Sequence, residues 1–351
     1  MITVNYGTDW ANNTYDALVD SDIDNFLRAD YSVAIKPNLV VSQPASEGAT
    51  THPEVVEGII RFLKDFGVSR VKIMESAWVG DNTKKAYKAC GYTELSKRYG
   101  IDLIDLKDDS STTLSCDGLD ISICDEALGA DFLINVPVLK AHCQTLVTNA
   151  MKNLKGCISD AEKRRFHTLG LEKPIAALNM LLKTGYVVVD GICGDLSYEG
   201  GGSPVEANRV IVGRNPLTVD SFCAELIGYS PDEVGYMAHG KRLGVGEYFS
   251  AHTKVTELHA DHKPPRQTTS ANTAGKYRQQ IKEDGACSAC YAALVFALRR
   301  LDIQQDRKIY IGQGFKGKSG DGLGIGSCAR GFTLCVPGCP PTATDIIKGL
   351  S

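Results

Sequence analysis

A C-x2-C pair followed by widely spaced single cysteines near the C-terminus constrains this chain more than any other feature. Cys287 and Cys290 form the pair in GACSAC, Cys328 follows in GIGSC, and Cys339 stands in VPGCPP. Iron–sulfur clusters are held by about four thiolates, often with a proline directly after one of the cysteines. The spacing therefore predicts a centre held by four thiolates in the last part of the chain, which would make this a redox protein.

The remaining bulk features favour a cytoplasmic, soluble protein. The chain has 351 residues, 12 cysteines and a net charge of −4. Its first residues lack a secretory signal, and no apolar run reaches the roughly 18 residues of a membrane helix. Disulfides are rare in a reducing cytoplasm, and so many oxidisable thiols would suit an anaerobe. No basic-aromatic stripe or nucleic-acid-binding motif is present, so we expect neither a membrane nor a nucleic acid as partner.

Apolar strands alternate with helical segments through most of the chain. Tyr31–Lys36, Phe132–Val136 and Tyr186–Asp190 read as strands, and Thr145–Leu154 reads as a helix. This alternation predicts an α/β fold, with a mostly parallel sheet flanked by helices. We expect an α/β domain over residues 1–250, a linker or crossing segment over 251–284, and a small iron–sulfur module over 285–351.

Polar side chains cluster where the predicted strands end. Ligands of parallel sheets bind at the carboxyl ends of strands, so these residues are candidates for a site. Lysines and histidines there could bind an anion and transfer protons, and amides could orient a polar substrate. The candidate catalytic residues are Lys36, His52, Lys140, His142 and Asp190, and the candidate substrate-binding residues are Asn38, Asn153 and Lys155. For each residue alone, the alternative is a solvated lysine or a histidine in ordinary hydrogen bonds.

The cysteine pattern resembles a known cluster site. CSAC, GIGSC and VPGCPP are similar to the proximal-cluster pattern of nickel–iron hydrogenase small subunits and of the related subunit of respiratory complex I. The resemblance implies a [4Fe-4S] cluster on Cys287, Cys290, Cys328 and Cys339. Cys335 has no place in the pattern, although it could substitute for a ligand. A zinc site, a [2Fe-2S] centre and unmetallated thiols remain the alternatives.

The first part of the chain resembles the domain-of-unknown-function family 362. The resemblance rests on six blocks, which are IKPNLV (35–40), ATTHPEVVEGII (49–60), LINVPVLKAH (133–142), NAMKNLKG (149–156), VVVDGI (187–192) and NPLTVDSFCAELIG (215–228). Members are often fused to ferredoxin-type modules, from which the present cysteine pattern departs. The resemblance implies fold and cluster more than it implies a reaction.

The leading functional hypothesis is an oxidoreductase. A ferredoxin-like donor would supply electrons, and the cluster would pass them to a small anionic substrate at the strand ends. From residue 276 onward, 11 Lys and Arg stand against 6 Asp and Glu, a balance that suits an acidic electron donor. A non-enzymatic electron carrier or docking subunit is the second hypothesis, and a zinc-stabilised binding protein is the third.

Overall fold

The computed structural model describes residues 1–196, 199–265, 277, 279–301 and 308–350. The strands are β1 (Ile2–Tyr6), β2 (Ser32–Pro37), β3 (Arg70–Glu75), β4 (Asp102–Asp105), β5 (Ser111–Cys116), β6 (Leu119–Cys124), β7 (Phe132–Val136), β8 (Lys140–His142), β9 (Leu146–Thr148), β10 (Tyr186–Asp195), β11 (Pro204–Gly213), β12 (Val255–Leu258), β13 (Ile281–Glu283), β14 (Ile309–Ile311), β15 (Ser319–Ile325) and β16 (Gly331–Val336). The α-helices are α1 (Trp10–Val19), α2 (Pro53–Asp65), α3 (Thr83–Ala89), α4 (Tyr92–Tyr99), α5 (Asp125–Leu128), α6 (Ala150–Asn153), α7 (Asp160–Leu169), α8 (Glu172–Leu181), α9 (Pro216–Leu226), α10 (Gly235–Leu243), α11 (Ser288–Leu301) and α12 (Ala343–Leu350).

An eight-stranded sheet forms the centre of the larger part, in the order β12-β1-β11-β10-β7-β2-β3-β4. Strands β10, β7, β2, β3 and β4 pair in parallel, and so do β1 and β12. Only β11 runs against its neighbours, β1 and β10. The sequence-based prediction of an α/β fold with a mostly parallel sheet is therefore confirmed.

Both faces of this sheet are buried, which explains why its strands read as continuous apolar runs. Successive residues of β10 point to opposite faces. Val187 and Val189 join the core that also contains Ile175 of α8, whereas Val188 joins the core that contains Ile59 of α2. Helices on each face thus complete two separate hydrophobic layers, and the strand ends remain available for polar groups.

A second, smaller sheet carries the cysteine-rich region. Its four strands pair in parallel in the order β13-β14-β15-β16. Its core packs Leu294 and Leu298 of α11 against Ile309 and Ile311 of β14, and Ile346 of α12 joins them. Because α11 starts at Ser288, the C-x2-C pair lies at the first turn of a buried helix.

Gln144 joins the two parts of the molecule. It lies between β8 and β9, and its amide donates to Glu283 Oε1 at 2.6 Å and to the carbonyl of Ala286 at 3.0 Å. Its Oε1 accepts from the Ser288 hydroxyl at 2.8 Å. These bonds hold the loop before α11 against the hairpin that carries His142.

The structure differs from the sequence-based predictions in two segments, 145–154 and 251–284. The helix predicted over Thr145–Leu154 is wrong in its first half, because residues 146–148 form β9, which pairs with β8. Asp220 then accepts from the backbone N–H groups of Ala150 and Met151, which fixes the start of α6 there. The segment 251–284 contributes β12 to the large sheet and β13 to the small one. Residues 266–276 and 278 of that segment lie outside the described residues, and the domain limits remain a prediction.

Candidate functional site

A cavity of about 360 Å³ is lined both by the strand ends of the large sheet and by the cysteine loops. The large sheet contributes Lys36 and Glu75, which stand at the carboxyl ends of β2 and β3. Cys287, Cys290 and Cys339 line the same space. Further polar lining residues are Asn38, Lys140, His142, Lys152, Asn153, Lys155, Lys163, Arg164, His167 and Glu199. The cavity therefore joins the two groups of residues that the sequence singled out.

Lys36 is fully buried and committed to protein partners. Its ammonium contacts Glu75 Oε2 at 2.6 Å, the Pro37 carbonyl at 3.0 Å and Asn153 Oδ1 at 3.3 Å. An ammonium has three donors, so all are used. The amide nitrogen of Asn153 donates to Asn135 Oδ1 at 2.8 Å and to the Lys36 carbonyl at 3.3 Å. Lys36 and Asn153 thus form a structural network at the cavity floor.

Three other lysines retain donors toward the cavity, counting partners among the described residues. Lys140 donates to the carbonyls of Ala49 at 2.7 Å and Glu199 at 2.8 Å. Lys152 donates to Thr148 Oγ1 at 3.2 Å, and Lys155 lies 3.3 Å from His167 Nε2. None of the three has a carboxylate partner within ion-pair distance in the described part of the chain.

Burial and mutual repulsion depress the pKa values of these lysines. Burial, aided by Lys152, lowers the pKa of Lys140 to about 7, although Glu199 and Asp195 oppose the change. Burial lowers the pKa of Lys152 to about 8. Burial together with Lys152 and Lys163 holds the pKa of Lys155 well below its usual range. An anion in the cavity would raise these pKa values again, because an opposite charge favours the protonated amine.

The imidazole of His142 is neutral, and its hydrogen bonds determine its tautomer. Nδ1 accepts from the backbone N–H groups of Gln144 at 3.1 Å and Thr145 at 3.2 Å. In a neutral imidazole one nitrogen accepts and the other donates, so Nε2 carries the proton. Burial and the charge of Lys152 hold the pKa of His142 well below its usual range. His142 therefore presents a fixed N–H donor.

His142, Cys143 and Glu199 form a compact group of potential metal-binding side chains. One donor atom from each lies within 4.8 Å of the others, and among the residues that the structure describes this group could hold a metal ion. Glu199 Oε1 accepts from the Cys143 thiol at 3.0 Å, and Oε2 accepts from the Cys143 backbone N–H at 3.1 Å. Burial holds the pKa of the Cys143 thiol well above its usual range.

His52 and Asp190 lie together and are not among the residues that line the cavity. Asp190 lies within β10, rather than at the end of this strand as predicted. Its Oδ2 accepts from the His52 backbone N–H at 2.7 Å and faces Nδ1 at 2.8 Å. Burial alone would lower the pKa of His52, but the Asp190 carboxylate dominates and raises it to about 10. The ion pair fixes the start of α2 against β10.

The four predicted cysteine ligands influence one another electrostatically. Burial, together with the nearby Cys287, Cys339 and Cys328, raises the pKa of Cys290 to about 12. Burial, Cys328 and Cys339 also raise the pKa of Cys287, while Arg164 and Lys155 oppose them. Cys328 and Cys339, which are distant in the chain from Cys287 and Cys290, thus lie close enough to oppose the ionisation of both. A bound cation would reverse this effect.

The loops around the thiols are closely fitted. Gly326 has φ +84°, a backbone conformation that favours glycine, and it lies beside Cys290, because a Cβ there would be 3.6 Å from Cys290 Sγ. The Ser327 N–H donates to the Gly338 carbonyl at 2.8 Å, which ties the Cys328 loop to the Cys339 loop. Gln313 Nε2 donates to Cys287 Sγ at 3.8 Å. These contacts hold the Cys328 and Cys339 loops together and place the Cys328 loop beside Cys290.

Cys335 belongs to another surface. It lies on β16 and lines a hollow with Asp345 and Lys348. Of the remaining candidates, Asn38 lines the cavity, and its Oδ1 accepts from the Val40 N–H at 3.3 Å.

The sequence reasoning missed Glu75 and Glu199. Glu75 is the last residue of β3, so the strand-end rule could have found it. Glu199 lies in a glycine-rich loop whose sequence gives no signal of its position.

Comparison with known proteins identifies the large part of the chain. A family model described as "Domain of unknown function (DUF362)" matches residues 33–225. The "Thylakoid-associated protein sll1697" of Synechocystis sp. is 24% identical over 228 residues, which are 63% of this chain and 70% of that protein.

Two solved structures share part of the fold. The lactate racemase apoprotein from Thermoanaerobacterium thermosaccharolyticum has a TM-score of 0.44 at 12% identity and covers 64% of this chain. A Thermotoga maritima protein has a TM-score of 0.39 at 11% identity and covers 68%. The chain spans 57% and 59% of these two structures, respectively. At these TM-scores neither likeness bears on function.

In the part of the chain that the structure describes, no helix combines the length and apolar character needed to cross a membrane.

Proposed function

Because the chain belongs to the DUF362 family, whose description assigns no reaction, we propose its function from the site: an iron–sulfur protein that transfers electrons to a small anion. A [4Fe-4S] cluster would be held by Cys287, Cys290, Cys328 and Cys339. The anion would lie in the adjoining cavity, among the lysines that lack an ion-pair partner in the described part of the chain. Such a cluster supplies electrons one at a time at a potential set by its surroundings.

One observation carries the proposal. A single cavity is lined by three of the four converging thiols and by the lysines that retain donors, Lys140, Lys152 and Lys155. A substrate in this space would contact both the cysteine loops and the cations. Its volume of about 360 Å³ lies in the range of small-molecule sites, which is roughly 300–1,000 Å³.

The protein's residues divide the remaining tasks. Lys152 and Lys155 attract and hold the anion, because neither has a carboxylate partner within ion-pair distance among the described residues. Lys140, whose pKa is about 7, donates the proton that a reduced substrate takes up, since an acid acts best when its pKa is near the working pH. His142 orients the substrate through its Nε2–H. Lys36 and Asn153 act indirectly, by holding the floor of the cavity in place.

The proposal includes the cytoplasm as location, where thiols stay reduced, and a ferredoxin-like protein as electron donor. Two observations support an exchange of electrons at the surface. Cys339 is exposed, and basic residues outnumber acidic ones in the C-terminal region. The same two observations favour a second candidate function, a non-enzymatic electron carrier that uses the cysteine centre alone.

Metal and sulfide analysis of anaerobically purified protein tests the proposal. We expect about four irons and four sulfides per chain. We also expect a broad absorption band near roughly 400 nm, as in other iron–sulfur proteins, and a spin-resonance signal after reduction. Stoichiometric zinc without sulfide would make this a zinc-stabilised protein and overturn the proposal. Cluster-loaded protein that binds no small anion but forms a complex with a ferredoxin would favour the carrier.

A further inference from the structure

The carboxylate of Glu199 accepts hydrogen bonds from both the backbone and the side chain of Cys143. Oε2 accepts from the Cys143 backbone N–H at 3.1 Å, and Oε1 accepts from the Cys143 thiol at 3.0 Å. His142 Nε2 faces Oε1 at 3.7 Å. Two donors of Cys143 therefore hold one carboxylate that lines the cavity, and the His142 N–H lies just beyond hydrogen-bond distance of it.

The tautomer of His142 distinguishes an anion site from a metal site. A histidine that binds a metal through one nitrogen normally donates an N–H from the other. Here Nδ1 accepts two backbone N–H groups, so Nε2 carries a hydrogen instead of a free lone pair. The Cys143 thiol likewise donates its hydrogen, to Glu199 Oε1 at 3.0 Å. The group presents hydrogens, as a receptor for an anion requires.

Positive charge surrounds the same position. The Glu199 carboxylate raises the pKa values of both Lys140 and Lys152, which means that it lies close enough to interact with both. Lys140 also holds the loop itself, through the Glu199 carbonyl at 2.8 Å. Fixed N–H and S–H donors, with two lysines beside them that an added anion would keep protonated, are a suitable environment for an external carboxylate.

We propose that His142 and Cys143 form a carboxylate-binding subsite that Glu199 occupies in the free protein. The carboxylate of a small organic acid displaces the Glu199 side chain when it binds. This subsite rests on the proposed function, because it lies in the cavity that is proposed to hold the anion. It makes that function more specific, because it identifies the anionic substrate as a carboxylic acid. It also makes Glu199 a competitor of the substrate, since a tethered group acts at a high effective concentration.

Acetate is the matched probe. Replacing Glu199 by alanine removes a CH2–COO⁻ group, and acetate has the size to fill the space that remains. In calorimetric titrations of the full chain, purified anaerobically, we expect Glu199→Ala to bind acetate about tenfold more tightly than the original protein, because the internal competitor is gone. Glu94→Ala removes an exposed carboxylate on α4 and should leave acetate binding unchanged.

A second substitution tests whether the proposed surroundings provide the affinity. Lys152→Met in the Glu199→Ala background should abolish most of the gained acetate affinity. If Glu199→Ala does not fold by circular dichroism, Glu199→Ser gives the same comparison. Equal acetate affinity in the original and Glu199-substituted proteins would overturn the subsite. Tighter binding of inorganic phosphate than of acetate would overturn its chemical class.

Metal analysis of the same samples separates this inference from the proposed function. A second bound metal ion that disappears in Glu199→Ala would overturn the carboxylate receptor, whatever the cysteines hold. Absence of iron and sulfide from every sample would refute the iron–sulfur proposal, while the acetate titrations would still decide the subsite.

Discussion

The two walls of the cavity differ in how their charges are balanced. On the wall formed by the large sheet, Lys36, Glu75 and Asn153 satisfy one another at 2.6–3.3 Å. On the wall formed by the cysteine loops, Cys328 and Cys339 oppose the ionisation of both Cys287 and Cys290. A balanced buried network is complete without a ligand, whereas converging groups of one kind need an added charge. Burial and proximity alone do not distinguish a complete structural network from a binding site. The distinction depends on whether each buried group already has a partner of opposite charge.

The largest effect is expected at the cysteine wall. Cys290→Ser should lower bound iron from about four per chain to less than about one, because the cluster needs four thiolates. Cys335→Ser, whose thiol lines the hollow on β16, is the matched control and should retain iron. Iron and sulfide analysis of both variants after anaerobic purification measures the difference. Iron loss in Cys335→Ser with retention in Cys290→Ser would mean that the ligand set is wrong.

On the sheet wall, removing one charge should destabilise the fold. Lys36→Met leaves Glu75 buried without its cation, which costs about 3–5 kcal/mol for a broken buried pair. Urea denaturation measures the free energy of unfolding. The double variant Lys36→Met/Glu75→Gln should recover much of the loss, because no unpaired charge remains. If the double variant is as unstable as the single one, the ion pair is not the source of the effect.

Stability should also depend on pH through His52. The pKa of His52 is raised from 6.5 to about 10 in the folded protein. The folded state therefore holds this proton more tightly than the unfolded state. The resulting stability is fully present below about pH 6.5 and is lost as the pH rises toward 10.

Substituting the partner of His52 isolates this contribution. Asp190→Asn keeps the shape of the side chain but removes its charge, so its unfolding free energy should fall less steeply than that of the original protein between about pH 6.5 and 10. Urea denaturation at a series of pH values gives both slopes. Parallel slopes would show that the pair does not titrate in this range.

The fold could be predicted well from the sequence, because the apolar runs along the chain coincide with the strands that are buried on both faces. Tyr186–Asp190 reads as a strand since both faces of β10 are buried, so no register had to be known. The helix predicted over Thr145–Leu154 was wrong in part, because its apolar spacing is equally compatible with β9 followed by α6. A contact from Asp220, about 70 residues away in the chain, decides where the helix starts.

The site was predictable only in its location. The strand-end rule brought Lys36, Asn38, Lys140 and His142 to one cavity, and Lys155 lies there as well. It could not show that Lys36 is paired with Glu75, because that contact joins residues 39 positions apart. It also could not separate His52 and Asp190 from the cavity, since both stand near strand or helix ends. Which charged side chains contact each other depends on the tertiary structure, and it cannot be read from composition or from motif spacing.

The smallest expected effect gives the sharpest contrast with Lys36. Lys152→Met removes a cation whose one hydrogen-bond partner among the described residues is Thr148, so the free energy of unfolding should change by less than about 1 kcal/mol. The pKa of Lys140 should rise from about 7, because Lys152 is the main charge that lowers it after burial. Urea denaturation and NMR titration of the lysine side chains measure the two quantities. A loss of stability as large as that of Lys36→Met would mean that both lysines are structural, and the distinction between the two walls would no longer hold.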